Sequence, residues 1–382
     1  MKHTLTKLLK TVAVTVSLMT TTAVISAAEV VYDYSPDNRC CPTQCCNPVG
    51  DWYFKADALI LKACEDGLAY GTAVTTTGPT SASPTATINS RVKNVHPKYD
   101  VGFRLGFGYM LPCDCWGLAV NWIHFSTHTN SHFDRNFAFD NETGTGNYFF
   151  PAYGASVYNF VELNGIDATE ARWKLNLDVI DVELGRPFCV SECITIRPHI
   201  GIRAAWIRQT YNIENSVHVI ATDAEVVVQD IHLRTNYQGV GLRGGLDTEW
   251  DLGCGMSLYG NAALGVLYGN FDVKSREHWI FFPGTTNSFE PEEKDEFCAC
   301  RAITDAGLGL RWKQNFCCNT VGLILQVGWE HHYFFGQNQF EDFADIGGPV
   351  AFFPNLGEVK NGQARRGDLC VRGVTISARL DF

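Results

Sequence analysis

Between residues 98 and 109 the chain reads Lys98-Tyr99-Asp100-Val101-Gly102-Phe103-Arg104-Leu105-Gly106-Phe107-Gly108-Tyr109. Every second side chain (Tyr99, Val101, Phe103, Leu105, Phe107, Tyr109) is apolar or aromatic, and those between are charged or glycine. A period of two belongs to a strand, so one face is wholly apolar and the other wholly polar. Two tyrosines bracket the apolar face. A tilted strand crosses a bilayer core in about 9–11 residues, with aromatic girdles at both interfaces. The stretch therefore predicts a strand with lipid on one side and water on the other.

The pattern recurs in both directions. Upstream, Trp52, Phe54, Ala56, Ala58 and Ile60 alternate with Tyr53, Lys55, Asp57 and Leu59. Downstream come Trp116, Leu118, Val120 and Trp122, then Trp173, Leu175, Leu177 and Val179 against Arg172, Lys174, Asn176 and Asp178. There the parity flips, and Ile180, Val182 and Leu184 continue on the formerly polar side, which predicts a β-bulge at Val179-Ile180. Further strands are expected over 194–206, 240–250, 258–271, 306–312 and 321–333. The last is Val374, Ile376, Ala378, Leu380 and Phe382 against Thr375, Ser377, Arg379 and Asp381.

Connections alternate long and short. The short turns fall near residues 111–115, 185–193, 251–255 and 314–319, and the run 290–296 with its four glutamates and one aspartate lies in a long loop. The fold expected is all-β: a transmembrane up-and-down antiparallel β-barrel of at least 10 strands, with short periplasmic turns and long outer loops. Hairpins within 146–166 and 217–233 would raise the count to 12–14. A soluble sandwich also alternates, but it has no need of aromatics at strand ends or of regular long–short connections. The last strand has an open edge unless the first pairs with it; pairing with the Trp52 strand closes the barrel and sets Phe382 at the periplasmic interface. A terminal aromatic there resembles an assembly signal, and deleting Phe382 is expected to harm assembly more than conductance.

The 382-residue chain opens with Lys2, Lys7 and Lys10, an apolar Thr-rich run and Ser26-Ala27-Ala28, which predicts a secretory signal peptide over 1–27. A Cys-rich periplasmic segment over 28–50 and the barrel over 51–382 follow. The formal charge of −11 argues against a nucleic-acid partner, which calls for a basic surface. Fifteen cysteines fit an oxidising compartment. Strand order puts Cys40, Cys41, Cys45, Cys46, Cys113, Cys115, Cys189, Cys193, Cys254, Cys317 and Cys318 on the periplasmic side as disulfide candidates, either as local bridges or as cross-links to other envelope proteins or copies. Cys64, Cys298, Cys300 and Cys370 fall at outer strand ends. A metal site in the first cluster is disfavoured, because no histidine accompanies the four thiols.

These segments also carry a resemblance. Trp52-Tyr53-Phe54-Lys55-Ala56-Asp57-Ala58-Leu59, Trp116-Gly117 with Trp122-Ile123-His124-Phe125, Trp173-Lys174-Leu175-Asn176 leading to Asp181-Val182-Glu183-Leu184-Gly185-Arg186, and Gly239-Val240-Gly241-Leu242-Arg243 through Trp250 to Leu258-Tyr259-Gly260 span most of the chain. Together and in order they resemble the cysteine-containing pore-forming outer-membrane proteins of Legionella and chlamydia-related bacteria, akin to the chlamydial major outer membrane protein. The resemblance implies a porin of the bacterial outer membrane, disulfide-linked into an envelope network, with no catalytic residues.

The face opposite lipid then lines a pore. Its expected members are Lys55, Asp57, Arg104, Arg172, Lys174, Asp178, Arg197, Arg203, Arg243, Asp247, Arg311, Lys313 and Arg379. The wall leans basic, which predicts a weak anion preference. The function expected is passive diffusion of ions and small hydrophilic solutes, beside a structural role; the alternative is a plugged structural or adhesin-type barrel. Lipid and lipopolysaccharide are the expected surroundings, and no cofactor is called for. Catalysis is disfavoured: His124, Ser126 and His128 share a strand face, but neighbours on one face stand about 6–7 Å apart, too far for a nucleophile–base hydrogen bond. His331 and His332 point to opposite faces and do not chelate together. The acidic run is read as solvated rather than as a Ca²⁺ site.

Overall fold

The computed structural model describes residues 52–77, 87–111, 115–134, 145–153, 166–219, 224–280, 288–316, 321–341 and 364–382. The expected signal peptide, the Cys40–Cys46 cluster, Cys113, Cys317 and Cys318 lie outside them. Ten long strands close into an antiparallel barrel: β1 (Trp52–Glu65), β4 (Tyr99–Met110), β5 (Gly117–Asp134), β7 (Ala168–Gly185), β9 (Ile194–Val219), β10 (Ala224–Gly253), β11 (Met256–Ile280), β13 (Glu292–Phe316), β14 (Val321–Glu341) and β15 (Ala364–Asp381). Two-residue strands β8 (Phe188–Cys189) and β12 (Ser288–Phe289) add to the wall. The seam is β1 on β15, in register from Tyr53–Asp381 to Glu65–Leu369. Just past its end, Trp52 and Phe382 exchange both backbone hydrogen bonds, at 3.1 and 2.9 Å.

Parity fixes what each side chain meets. A band on the outer surface is apolar and exposed: Val101 is 73 % exposed, Leu242 66 % and Leu308 59 %. Apolar area so continuous is stable only against lipid. Trp52, Tyr109, Trp116, Trp250 and Trp312 edge this band on the short-turn side, and Tyr99, Trp122, Trp206, Tyr268 and Trp329 edge it on the other. Among the described residues no helix is long and apolar enough to cross a membrane. On the inner face small residues make room for large ones. A Cβ on Gly108 would lie 2.2 Å from the Tyr53 ring, which folds across it.

The strands run well past the lipid band, and there their polarity inverts. In β7 Trp173, Leu175, Leu177 and Val179 point inward and are buried, as are Asp181 and Glu183 lower down, while Val182 and Leu184 point outward and are exposed. Pairing of β7 with β5 and β9 is unbroken from Ala168 to Gly185, so the expected bulge at Val179-Ile180 is absent. The side chains keep one parity throughout; what changes is the surroundings, from lipid outside and charge inside to water outside and an apolar core inside.

That core joins Leu59, Leu61, Phe125, Trp173, Leu175, Ile207, Tyr211, Ile231, Phe271 and Phe334 from around the wall. A separate three-stranded sheet, β3 (Thr87–Asn94), β2 (Ala69–Thr77) and β6 (Thr145–Pro151), contributes to it. Tyr70 and Phe149 from this sheet, with Leu68, Val95 and Tyr153 beside it, are buried in the same cluster. Tyr211 donates to the Leu68 carbonyl at 3.0 Å, and Tyr153 to that of Gly67 at 2.7 Å. The region around 146–166 therefore supplies a strand to this inner sheet rather than to the wall. Residues 217–219 and 224–233 are paired parts of β9 and β10, and residues 292–296 of the acidic run are in β13, paired to β11. Among the described residues the wall stays at ten long strands.

Candidate functional site

The inner face of the lipid-embedded half carries charge on eight of the ten long strands, β5 and β11 excepted. Eight cations (Lys55, Arg104, Arg197, Arg203, Arg243, Arg311, Lys313, Arg379) face eight acids (Asp57, Asp181, Glu183, Asp247, Glu249, Asp305, Glu330, Asp381) among the described residues. Charges withdrawn from water persist only when paired, and these are. Arg104 donates to Asp57 at 3.0 Å and to Glu330 Oε1 at 2.9 Å, with Lys55 Nζ 3.1 Å from Asp57. Arg203, 2 % exposed, donates to both oxygens of Asp181 at 2.6 and 2.7 Å and reaches Asp305 at 2.8 Å. Arg243 bridges Asp305, at 3.2 Å, and Glu183. His332 lies between Asp305 (2.8 Å) and Glu330 (3.3 Å), joining the two clusters. Nearer the short-turn rim Arg197 donates to Asp247 at 2.9 Å, Arg311 and Lys313 share Glu249, and Arg379 lies 3.7 Å from the Tyr53 ring centre.

Ten of the thirteen expected lining residues belong to this network. The other three do not line the lumen: Arg172, Lys174 and Asp178 are on the outer surface above the lipid band. Arg172 is paired there with Glu170 and Glu214, and Asp178 with His124 at 2.8 Å. Inversion of the media, not a bulge, puts them there. With them removed and Asp181, Glu183, Glu249, Asp305, Glu330 and Asp381 counted, the wall holds eight cations and eight acids among the described residues, so it no longer leans basic. Counting about ten residues back from the turn after Gly185 would have revealed this, since the bilayer core ends before Lys174 is reached. Ser126 donates to Asn176 at 2.8 Å rather than to a histidine. No group of three or more His, Cys, Asp or Glu side chains is arranged to hold a metal among the described residues.

Where the charged and apolar layers meet, the space bounded by Leu61, Ile123, Leu177, Val179, Arg203, His332, Phe334 and Val371 is about 10 Å³, roughly what one water needs. Above it Trp173 donates to Gln209 at 3.1 Å, and Gln209 to Glu65 at 2.9 Å. Glu65 lies beyond the lipid band. Burial pushes its carboxyl up to about 8, outweighing the Gln209 hydrogen bond, and its second oxygen has no partner. An acid whose folded pKa exceeds its unfolded value adds stability fully below the unfolded pKa, and this is lost as pH rises through the folded one. Thermal stability in detergent should therefore fall between about pH 4.5 and 8 by a component that Glu65→Gln removes. Equal pH profiles for the two proteins would contradict this.

The cysteines divide. Cys115 and Cys189, at the short-turn end, are disulfide-bonded. Cys193 and Cys254 are exposed free thiols in adjacent turns, where Asp251 N–H donates to the Cys193 carbonyl at 2.7 Å. Cys254 has φ +54° between Gly253 (+91°) and Gly255 (+77°). In so tight a turn, a side chain other than glycine is held in the left-handed region and displayed at the tip.

Residues 45–382 match the family described as Legionella pneumophila major outer membrane protein precursor. The chain belongs to this family. It is a protein of the bacterial outer membrane, its apolar band lies against lipid, and the short-turn rim is the periplasmic one. Comparison with curated proteins gives no match. Among solved structures, the outer membrane protease OmpT of Escherichia coli is similar at 8 % identity and TM-score 0.38, over 87 % of this chain and 96 % of that one. The toluene transporter TbuX of Ralstonia pickettii is similar at 10 % identity and TM-score 0.25, over 87 % and 90 %. Likenesses at this level carry no functional argument.

Proposed function

We propose that this major outer membrane protein is a sealed structural barrel, a non-catalytic component of the envelope rather than an open pore. The observation that carries the reading is the stack of two filled layers, apolar core over paired charges. Purified folded protein in a planar bilayer is expected to give no stable conductance steps; regular steps at low voltage would overturn the sealed reading. They would favour passive diffusion of ions and small hydrophilic solutes, which the charged lower layer and the family's resemblance to pore formers support. In either case we read Cys193 and Cys254, displayed at the periplasmic rim, as thiols available for cross-links to neighbouring copies or envelope proteins. Lipopolysaccharide is the partner proposed for the outward cations above the lipid band. The N-terminal 27 residues are proposed to leave on export, and Phe382, bonded to Trp52 at the seam, to be read during assembly.

A further inference from the structure

Cys64 and Cys370 are directly opposite each other across the seam that closes the barrel. Both are free, half-buried thiols. Both share the outward parity of Lys62 and Arg372, one pair of residues beyond them on the outer side of the lipid band. Pair type follows from the ladder. Trp52 and Phe382 exchange both backbone hydrogen bonds, and Asp66 N–H donates to the Asp368 carbonyl at 3.2 Å. Hydrogen-bonded pairs recur at every second residue, so Cys64–Cys370 is one of them, with Cα atoms about 5.5 Å apart. That separation lies within the usual disulfide range of about 4.4–6.8 Å. In a hydrogen-bonded pair the Cβ atoms stand near the wide end of about 4.5–5.5 Å, so closing the bond at about 3.5–4.5 Å asks for side-chain rotation and a small local approach of the two strands.

The surroundings leave Cys370 in need of a partner that can carry its proton. Cys370 Sγ lies 3.1 Å from His331 Nε2 on β14. Burial pushes the Cys370 thiol up to about 11, so at neutral pH the sulfur keeps its proton, and the imidazole beside it is the group placed to relay that proton when the sulfur reacts. Tyr333, opposite Cys370 in the ladder, stacks beside His331 and is held by Asp368 at 2.8 Å.

We propose that Cys64 and Cys370 are a dithiol–disulfide site that joins the first and last strands of the barrel covalently at its outer rim. The oxidant is a small or protein disulfide, RSSR. Cys64 gives its proton to solvent as its sulfur attacks one sulfur of RSSR, forming Cys64–S–S–R and releasing RS⁻, which takes up a proton to give the first RSH. As the Cys370 sulfur attacks Cys64 Sγ, its proton moves through His331 to the departing second thiolate, which leaves as RSH. Overall, two protein thiols and RSSR give one protein disulfide and two RSH. His331 is a positioning and proton-accepting residue. Joining residues so far apart in sequence constrains the unfolded chain strongly, and it does so at the one strand pair whose formation completes the ring.

The test uses the folded full chain in detergent. It is reduced, freed of reductant, incubated with oxidised glutathione, blocked with N-ethylmaleimide, digested and mapped by mass spectrometry. The expected product is a Cys64 peptide joined to a Cys370 peptide, two hydrogens lighter than their sum and lost in Cys64→Ser. Recovery of both residues carrying maleimide or glutathione, or joined to other cysteines, would overturn the proposal. His331→Gln is expected to give the same product several-fold more slowly; an unchanged rate would remove His331 from the mechanism.

Discussion

Arg203→Met should destabilise the barrel by about 3–5 kcal/mol, the range for stripping one partner from a buried ion pair. The guanidinium is 2 % exposed and serves Asp181 and Asp305 together. Removing it leaves Asp181 with no other cation contact among the described residues, while Asp305 keeps Arg243 and His332. The loss should therefore fall mainly on Asp181, and Arg203→Met with Asp181→Asn should recover a large part of it, because a neutral amide costs far less to bury than a lone carboxylate. Thermal unfolding of the three proteins in one detergent checks this. A double variant no more stable than the single would mean that Arg203 acts through packing rather than charge.

Trp173→Ala should cost about 3–5 kcal/mol, as large-to-small changes in a core do, whereas Lys174→Ala should fall within about 0.5 kcal/mol. The two residues are neighbours on β7. Trp173 is 1 % exposed in the apolar core and donates to Gln209, while Lys174 is exposed on the outer surface. A lumen-facing Lys174 with Trp173 against lipid would reverse the expectation: the lysine change would alter the charge network and the tryptophan change would be mild. Unfolding midpoints of the two variants separate these arrangements.

Much of the architecture is legible in the sequence, for a physical reason. Between Tyr99 and Tyr109 lipid presses on one face and the charged interior on the other, so alternation, length and girdle all agree. The seam could be read too, since Val374–Phe382 and Trp52–Ile60 alternate just as clearly. Beyond the lipid band the same alternation persists with the opposite meaning. A bulge and an exchange of media leave identical marks in Arg172–Leu184, and only the partner strands, in unbroken register, tell them apart. The small inner sheet was missed because β2, β3 and β6 are short, rich in Thr, Gly and Asn, and apolar at only a few positions such as Tyr70 and Phe149. The ion pairs themselves, such as Arg104 with Glu330 across 226 positions, depend on which strands meet, and parity alone does not say.

The strands are also very unequal. β4 has 12 residues and β10 has 30. At a rise of about 3.4 Å per residue, β10 follows a path of roughly 100 Å, of which the bilayer core takes only about ten residues. Among the described residues the outward edge of the wall is therefore slanted, low at β1 and β4 and tall at β9, β10 and β11. Of the described wall, the ends of β9 to β11 therefore stand farthest from the bilayer, and any contact made by the wall itself at a distance from the lipid surface falls to those three strands.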